Sequence, residues 1–197
     1  FLNGKGYYGI KLDLGMELGG PLFFSHYSFL GLDPRGLTDR HTNYFERNKA
    51  HTLIHRAYAI DNPKQHAGYG KQLWGFTSSD DPLVGYSSHH PGTDADNGTV
   101  SPTAALSSIV YTPTESKEVL SFLYYEKGSR LWGRYGFYDA YNPGLPEGQQ
   151  VVRSYLAIDQ GPVAVMMENY RSGLIWKLFM QQPEIKRGLQ LLGFSYP

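Results

Sequence analysis

The sequence predicts an all-α fold, a two-layered α/α toroid built from hairpins of one inner and one outer helix. Three observations predict it. Segments that are apolar and almost free of charge alternate along the chain with charged, amphipathic ones. Helix start and stop residues sit at the boundaries of both kinds. The connections alternate between short and long, as antiparallel hairpins require.

Taken in order, the first apolar segment is 20–30 (GPLFFSHYSFL), and 43–60 follows as a charged helix with Phe45, Leu53, Ile54, Ala57 and Tyr58 on one face. Segment 101–110 (SPTAALSSIV) reads as the next inner helix, and 113–126 as its outer partner through Val119, Leu120, Leu123 and Tyr124. The third pair is 160–180, the longest apolar segment, followed by 183–192. Pro102, Pro113 and Pro183 suit a first helical turn, which does not need their missing N–H. Thr112 with Glu115 resembles a capping box, and Gly128 and Gly193 are suitable stops. A β element over 7–14 is a weaker expectation from alternating apolar residues. Inner-to-outer links are short, whereas 61–100 and 127–158 are about 40 and about 30 residues long and gather at one end, where function concentrates. Three hairpins do not close a ring of six, so the segments describe either half a toroid or a smaller helical domain.

Composition narrows the function. The 197 residues carry 18 Lys+Arg against 18 Asp+Glu, with no basic run, which argues against nucleic acid or an anionic membrane as partner. Aromatics reach 15%, with 16 Tyr, 10 Phe and 3 Trp, so the partner is expected to be neutral and polar, or apolar. The absence of Cys excludes disulfides, thiolate nucleophiles and Cys-based zinc sites. No apolar run approaches the roughly 20 residues of a membrane helix. The chain begins at Phe1 with no visible signal peptide, and is read as a processed or excised piece.

The two long loops carry the candidate chemistry. The first holds Trp74, Asp80, Asp81, Tyr86 and Asp96; the second holds Trp132, Asp139 and a run of tyrosines. Aromatic faces beside carboxylates and amides suit sugars, whose C–H faces stack while their hydroxyls hydrogen-bond. The alternative is that these rings only pin the loops to the core. Asp159 opens the longest inner helix, where helix N–H groups would hold it ionised as a general base; a plain cap is the other reading. Glu168 lies roughly 13 Å further along that helix, too far for a glycosidase pair and better placed for a buried ion pair with Arg171. Glu17, before Gly19-Gly20-Pro21, is a further carboxylate at the same end. His26 is a core histidine or a sugar contact. His51 and His55 have metal-binding i, i+4 spacing but lack a zinc-protease Glu, so a surface or groove role is expected. His89-His90 is a weaker signal still, and Asn97-Gly98-Thr99 matches a glycosylation pattern that is common by chance.

The blocks GPLFFSHYSFLGLDPR (20–35), WGFTSSDDP with GY (74–86), DNGTVSPTAALSSIVYTP (96–113), LWGRYGFYDAYN (131–142), YLAIDQGPVAVMMENYRSGLIWKLFM (155–180) and PEI…LGF (183–194) together resemble the glycoamylase-type domain. That domain occurs in bacterial glucoamylases, in the endo-β-1,2-glucanases of glycoside hydrolase family 144 and in parts of cyclic β-1,2-glucan synthases. The resemblance implies an (α/α)6 toroid with a central cavity, of which residues 1–197 form a single domain amounting to about the C-terminal half. It implies inverting hydrolysis of a neutral glucan without metal or cofactor, β-1,2-glucan ahead of starch-like α-glucans. It further implies a catalytic or near-catalytic role for Asp159, a substrate role for Asp80, and Trp74 as stacking platform. The general acid is then expected in the absent half, with Glu17 a poor substitute. A monomer in the bacterial periplasm or outside the cell is the expected setting. A carbohydrate-binding fragment without catalysis, or a transglycosylase or lyase on the same toroid, remain the competing readings.

Overall fold

The computed structural model describes residues 1–196 and shows a helix-rich chain carrying four small antiparallel strand pairs. The expectation of an all-α chain is corrected by those pairs: β1 (Leu2–Tyr7) with β2 (Ile10–Leu14), β3 (Ser78–Asp81) with β4 (Gly85–Ser88), β5 (Trp132–Gly133) with β6 (Gly136–Phe137), and β7 (Ala140–Tyr141) with β8 (Val151–Val152). Most are too short to show a period of two. They are held by turns and by neighbouring loops rather than by an amphipathic face of their own. The first hairpin turns through Tyr8 and Gly9, both at positive φ (53° and 78°), the geometry a two-residue hairpin loop needs.

The helices are α1 (Tyr44–Asp61), α2 (Pro102–Ser107), α3 (Pro113–Ser121), α4 (Gly128–Leu131), α5 (Ala157–Arg171), α6 (Leu174–Met180) and α7 (Pro183–Leu191). The first predicted inner helix is instead two 3₁₀ turns, 22–25 and 27–29, and the single predicted helix over 160–180 is broken at Gly173, whose φ is 68°. Thr112 makes no cap with Glu115; its hydroxyl turns back to the carbonyl of Ser108. Helix α2 is buried along its whole length, as its uncharged sequence expects. One apolar cluster joins Leu22, Tyr58, Trp74, Phe76, Leu106, Val119 and Leu131. A second joins Phe29, Leu37, Ile109, Met166, Trp176 and Leu189.

Two helices reverse the layer order expected from charge. The polar face of α1 is turned inward, burying Arg47, Asn48, His51, Thr52 and His55. Apolar α5 buries only Asp159, Pro162, Met166 and Asn169, and leaves Ile158 55% exposed. The reason lies in the main chain of 15–25. The carbonyl of Gly20 accepts Nε2–H bonds from both His51 (2.9 Å) and His55 (2.8 Å), while Ser25 donates to His51 Nδ1 (2.8 Å). Buried polar side chains persist where they are paired in this way. The expectation of a surface or groove role for these histidines is therefore corrected: both are fully buried.

This contact also fixes the glycines beside it. Gly19 has φ 97°, and a Cβ there would lie 2.0 Å from His51 Cδ2. Gly19→Ala should destabilise the chain by about 2–4 kcal/mol, since it combines backbone strain with overpacking. Gly188→Ala, in the interior of α7 with nothing within 4 Å, should stabilise by up to about 1 kcal/mol. Urea unfolding of both variants checks the contrast.

Candidate active site

The hairpin β3–β4 sets Asp80 directly across from Tyr86. Its turn is tied by Asp81, whose Oδ1 accepts the N–H groups of Leu83 (2.7 Å) and Val84 (3.0 Å). Asp81 Oδ2 accepts from Asn97 and Thr99, both at 2.8 Å, so the glycosylation-like triplet is spent on closing this loop. Adjacent strand residues point to opposite faces. Asp80 is thus delivered to the other side, where its N–H donates to Asp139 Oδ2 (2.7 Å) and Ser154 donates to its own Oδ2 (2.5 Å).

Asp139 immediately precedes β7, which is bridged to the start of α2 by reciprocal bonds between Val100 and Tyr141, both 2.9 Å. It has no exposed surface. Asp159 occupies the first turn of α5, is 4% exposed, and accepts a hydrogen bond from the Tyr27 hydroxyl at 3.3 Å. The 3₁₀ run that carries Tyr27 is lashed down by Leu22 N–H to the Phe76 carbonyl (2.9 Å) and by Phe23 N–H to Thr77 Oγ1 (3.3 Å). Each carboxyl keeps one buried oxygen with no donor, Asp139 Oδ1 and Asp159 Oδ2. A proton held between the two carboxyls satisfies both.

The electrostatics follow from that arrangement. Burial, then the charge of Asp139 and the hydrogen bond to it, push Asp159 up to about 7; the Tyr27 bond opposes this weakly. Burial likewise raises Asp139, to about 6, against the pull of the Asp80 N–H and of Asp159. The two titrate as a pair, so the raised values belong to the pair rather than to either residue. The expectation that helix N–H groups keep Asp159 ionised is corrected: Leu156 is the capping position, no backbone donor reaches the carboxyl, and desolvation dominates. Tyr86, about half exposed, feels the same negative charge, and its phenol is raised by burial and then by Asp159.

The other sequence-predicted residues divide. His26 lines a small cavity beneath Asp159 with Tyr27, Thr77 and Thr103; its Nε2 meets Ser108 Oγ at 3.0 Å, and burial depresses it to about 3, leaving it neutral. Trp132 is half exposed, set edge-on between Tyr124 and Phe137. It lines an apolar groove of about 520 Å³ with Tyr135, Gln160, Val163 and Met167, beside the start of α5. Three residues lie elsewhere. Trp74 is 1% exposed inside the core and offers no ring face for stacking. Asp96 is locked by the hydroxyls of Tyr58 (2.5 Å) and Tyr69 (2.7 Å) and serves its loop. Glu17 is exposed and paired with Lys5 at 3.0 Å. Glu168 does pair with Arg171 at 2.9 Å, but on the surface rather than buried. Sequence reasoning missed Tyr27 and Ser154, and gave Asp139 only a ligand role; its being the one acid in the aromatic block 131–142 was the available signal. Among the described residues no group of three His, Cys, Asp or Glu is arranged to hold a metal ion.

The scaffold is helix-rich and holds two desolvated carboxyls near an apolar, aromatic-lined groove. Residues 3–183 match the glycoamylase family model, described as putative glucoamylase, and the chain belongs to that family. It is 46% identical over 190 residues to an exo β-1,2-glucooligosaccharide sophorohydrolase (non-reducing end) of Parabacteroides distasonis, covering 96% of this chain and 26% of the relative. Among solved structures it superposes on a putative glucoamylase of Bacteroides uniformis with TM-score 0.95 and 59% identity, covering all of this chain and 47% of that one. It also superposes on the endo-β-1,2-glucanase of Chitinophaga pinensis, in complex with sophorotriose and glucose, with TM-score 0.94 and 50% identity, again over 47% of that chain. The chain thus spans about a quarter of the first relative and about half of the solved structures.

The raised pair has a cost in stability with a defined sign. A carboxyl whose folded pKa exceeds its unfolded value stabilises fully below the unfolded pKa, and that stability is lost as pH rises through the folded one. Asp139→Asn should therefore leave stability unchanged near pH 4 and raise it near pH 8, by on the order of 2 kcal/mol. Urea melts at the two pH values measure the difference.

Proposed function

We propose that the chain is the base-bearing part of a glycoside hydrolase acting on β-1,2-glucan, folded as part of an (α/α)6 toroid and working in the periplasm or outside the cell. The observation that carries this reading is the buried Asp139–Asp159 pair beside exposed rings, in a chain about half identical to β-1,2-glucan hydrolases. A carboxylate poised near 7 is a stronger base than an ordinary Asp and is still substantially ionised at neutral pH. Asp159 is the residue that takes the proton from water attacking the anomeric carbon, and Asp139 stabilises that proton. Tyr86, Trp132 and Tyr135 offer ring faces to the sugar, and Asp80 offers a carboxylate to its hydroxyls.

The pair cannot supply both roles of an inverting mechanism. Carboxyls that share a proton are much closer than the roughly 6.5–9.5 Å needed to fit a water and a glycosidic bond between them. The acid that protonates the leaving oxygen is accordingly a carboxyl other than these two. The same closeness favours a second reading, in which these residues alone bind oligosaccharide without cleaving it.

Reducing-end release from linear β-1,2-glucan by the full natural protein tests the proposal. Asp159→Asn should lower turnover by about 10²–10⁴-fold with oligosaccharide binding retained. In the parent, activity should rise with pH as the pair releases its proton toward pH 7. Asp139→Asn should move that acidic limb to lower pH, because it removes a negative neighbour that raises Asp159. Unchanged turnover in Asp159→Asn would remove it from the mechanism, and binding without product in the parent would favour the second reading.

A further inference from the structure

The 3₁₀ run 22–29 has two sides. Phe23 and Tyr27 face Asp159, whereas Phe24, Ser28 and Phe29 line a separate cavity of about 350 Å³ with Leu14, Leu32, Leu37, Tyr44 and Phe194. That volume lies within the range of small-ligand sites, and the walls are mainly apolar and aromatic. Arg47 also lines it, and is 8% exposed.

Among the described residues Arg47 is a buried cation without a counter-ion. Its Nε donates to the Leu14 carbonyl (3.1 Å), and its Nη1 donates to Ser25 Oγ (3.0 Å) and Asn48 Oδ1 (3.1 Å). All three acceptors are neutral. Nη2 makes no hydrogen bond among the described residues, and it is near enough to Gly15 that a Cβ there would fall 2.7 Å away. The nearby acids are engaged elsewhere: Asp13 pairs with Lys11 at 2.8 Å, and Asp39 accepts from His41, Thr42 and Tyr44. A buried charge left unpaired is expensive, and a guanidinium edge with free N–H groups is a fitted carboxylate receptor.

We propose that this cavity is a binding site for a small organic monocarboxylate with a flat apolar body, its carboxylate on Arg47 Nη2 and its body among Phe24, Phe29, Tyr44 and Phe194. One guanidinium neutralises one charge, so a monoanion fits where a phosphate dianion would carry an uncompensated charge into apolar surroundings. Burial lowers the proton affinity of Arg47, the direction an anion in the cavity would reverse. The site is distinct from the carboxyl pair, whose negative charge repels such a ligand.

Titration of the full natural protein with 3-phenylpropionate, followed by calorimetry and by NMR shifts of the cavity residues, tests this. The acid should bind at least tenfold more tightly than 3-phenylpropionamide. Arg47→Met should abolish that preference. Because Arg47 is buried and its loss could compromise folding, Ser28→Trp, at an exposed position on the rim, provides a second variant: it should block binding while leaving the circular dichroism spectrum unchanged. Equal affinity for acid and amide, shifts at residues away from Arg47, or unimpaired binding in Ser28→Trp would overturn the proposal. None of these outcomes depends on glucan hydrolysis.

Discussion

Everything in the site depends on keeping water away from two carboxyls that face each other. Asp139 and Asp159 come from segments twenty positions apart, one before a short strand and one in a first helical turn, and neither would have a raised proton affinity if solvated. Three separate elements enforce the desolvation. The β3–β4 hairpin caps Asp139 with a main-chain N–H, the strand pair β7–β8 anchors it to α2, and the 3₁₀ run brings the Tyr27 hydroxyl to Asp159. The two hydrogen bonds themselves pull the carboxyls down, so the rise that remains comes from burial and, at Asp159, from the charge of Asp139.

The helical boundaries were legible because prolines, glycines and apolar periodicity act locally. Helix α1 was expected within a residue or two of its observed span, and α7 likewise. What escaped was set by partners distant in sequence. The inward polar face of α1 exists because His51 and His55 both reach a carbonyl about 30 residues earlier, and a charged stripe read alone looks like a solvent face. Asp159 was found because it begins a helix; its ionisation was misjudged because the decisive neighbour, Asp139, lies in another loop. Trp74 shows the converse error, a loop aromatic that the core claimed.

Opposite pH couplings run through the same interior. His26, His51 and His55 are buried and neutral, the first and last depressed to about 3. Their contribution is present above the ordinary histidine pKa of about 6.5 and declines on acidification. The carboxyl pair works the other way, favouring the fold when protonated. Over the acidic range the protons gained by unfolded histidines are partly matched by those retained on Asp139 and Asp159, which flattens the response of the fold to acid.

The seat of Trp176 has a practical corollary. Its indole N–H donates to the Phe29 carbonyl at 2.7 Å, and Asn169, one helix earlier, donates to Leu30 at 3.0 Å, so the α5–α6 junction grips the end of the Tyr27-bearing run. Trp176 is 2% exposed, Trp74 is sealed deeper in the other cluster, and Trp132 stands half in solvent. A collisional quencher such as acrylamide would silence Trp132 first. The remaining emission, read by its wavelength, then becomes a built-in optical gauge of whether that run stays docked.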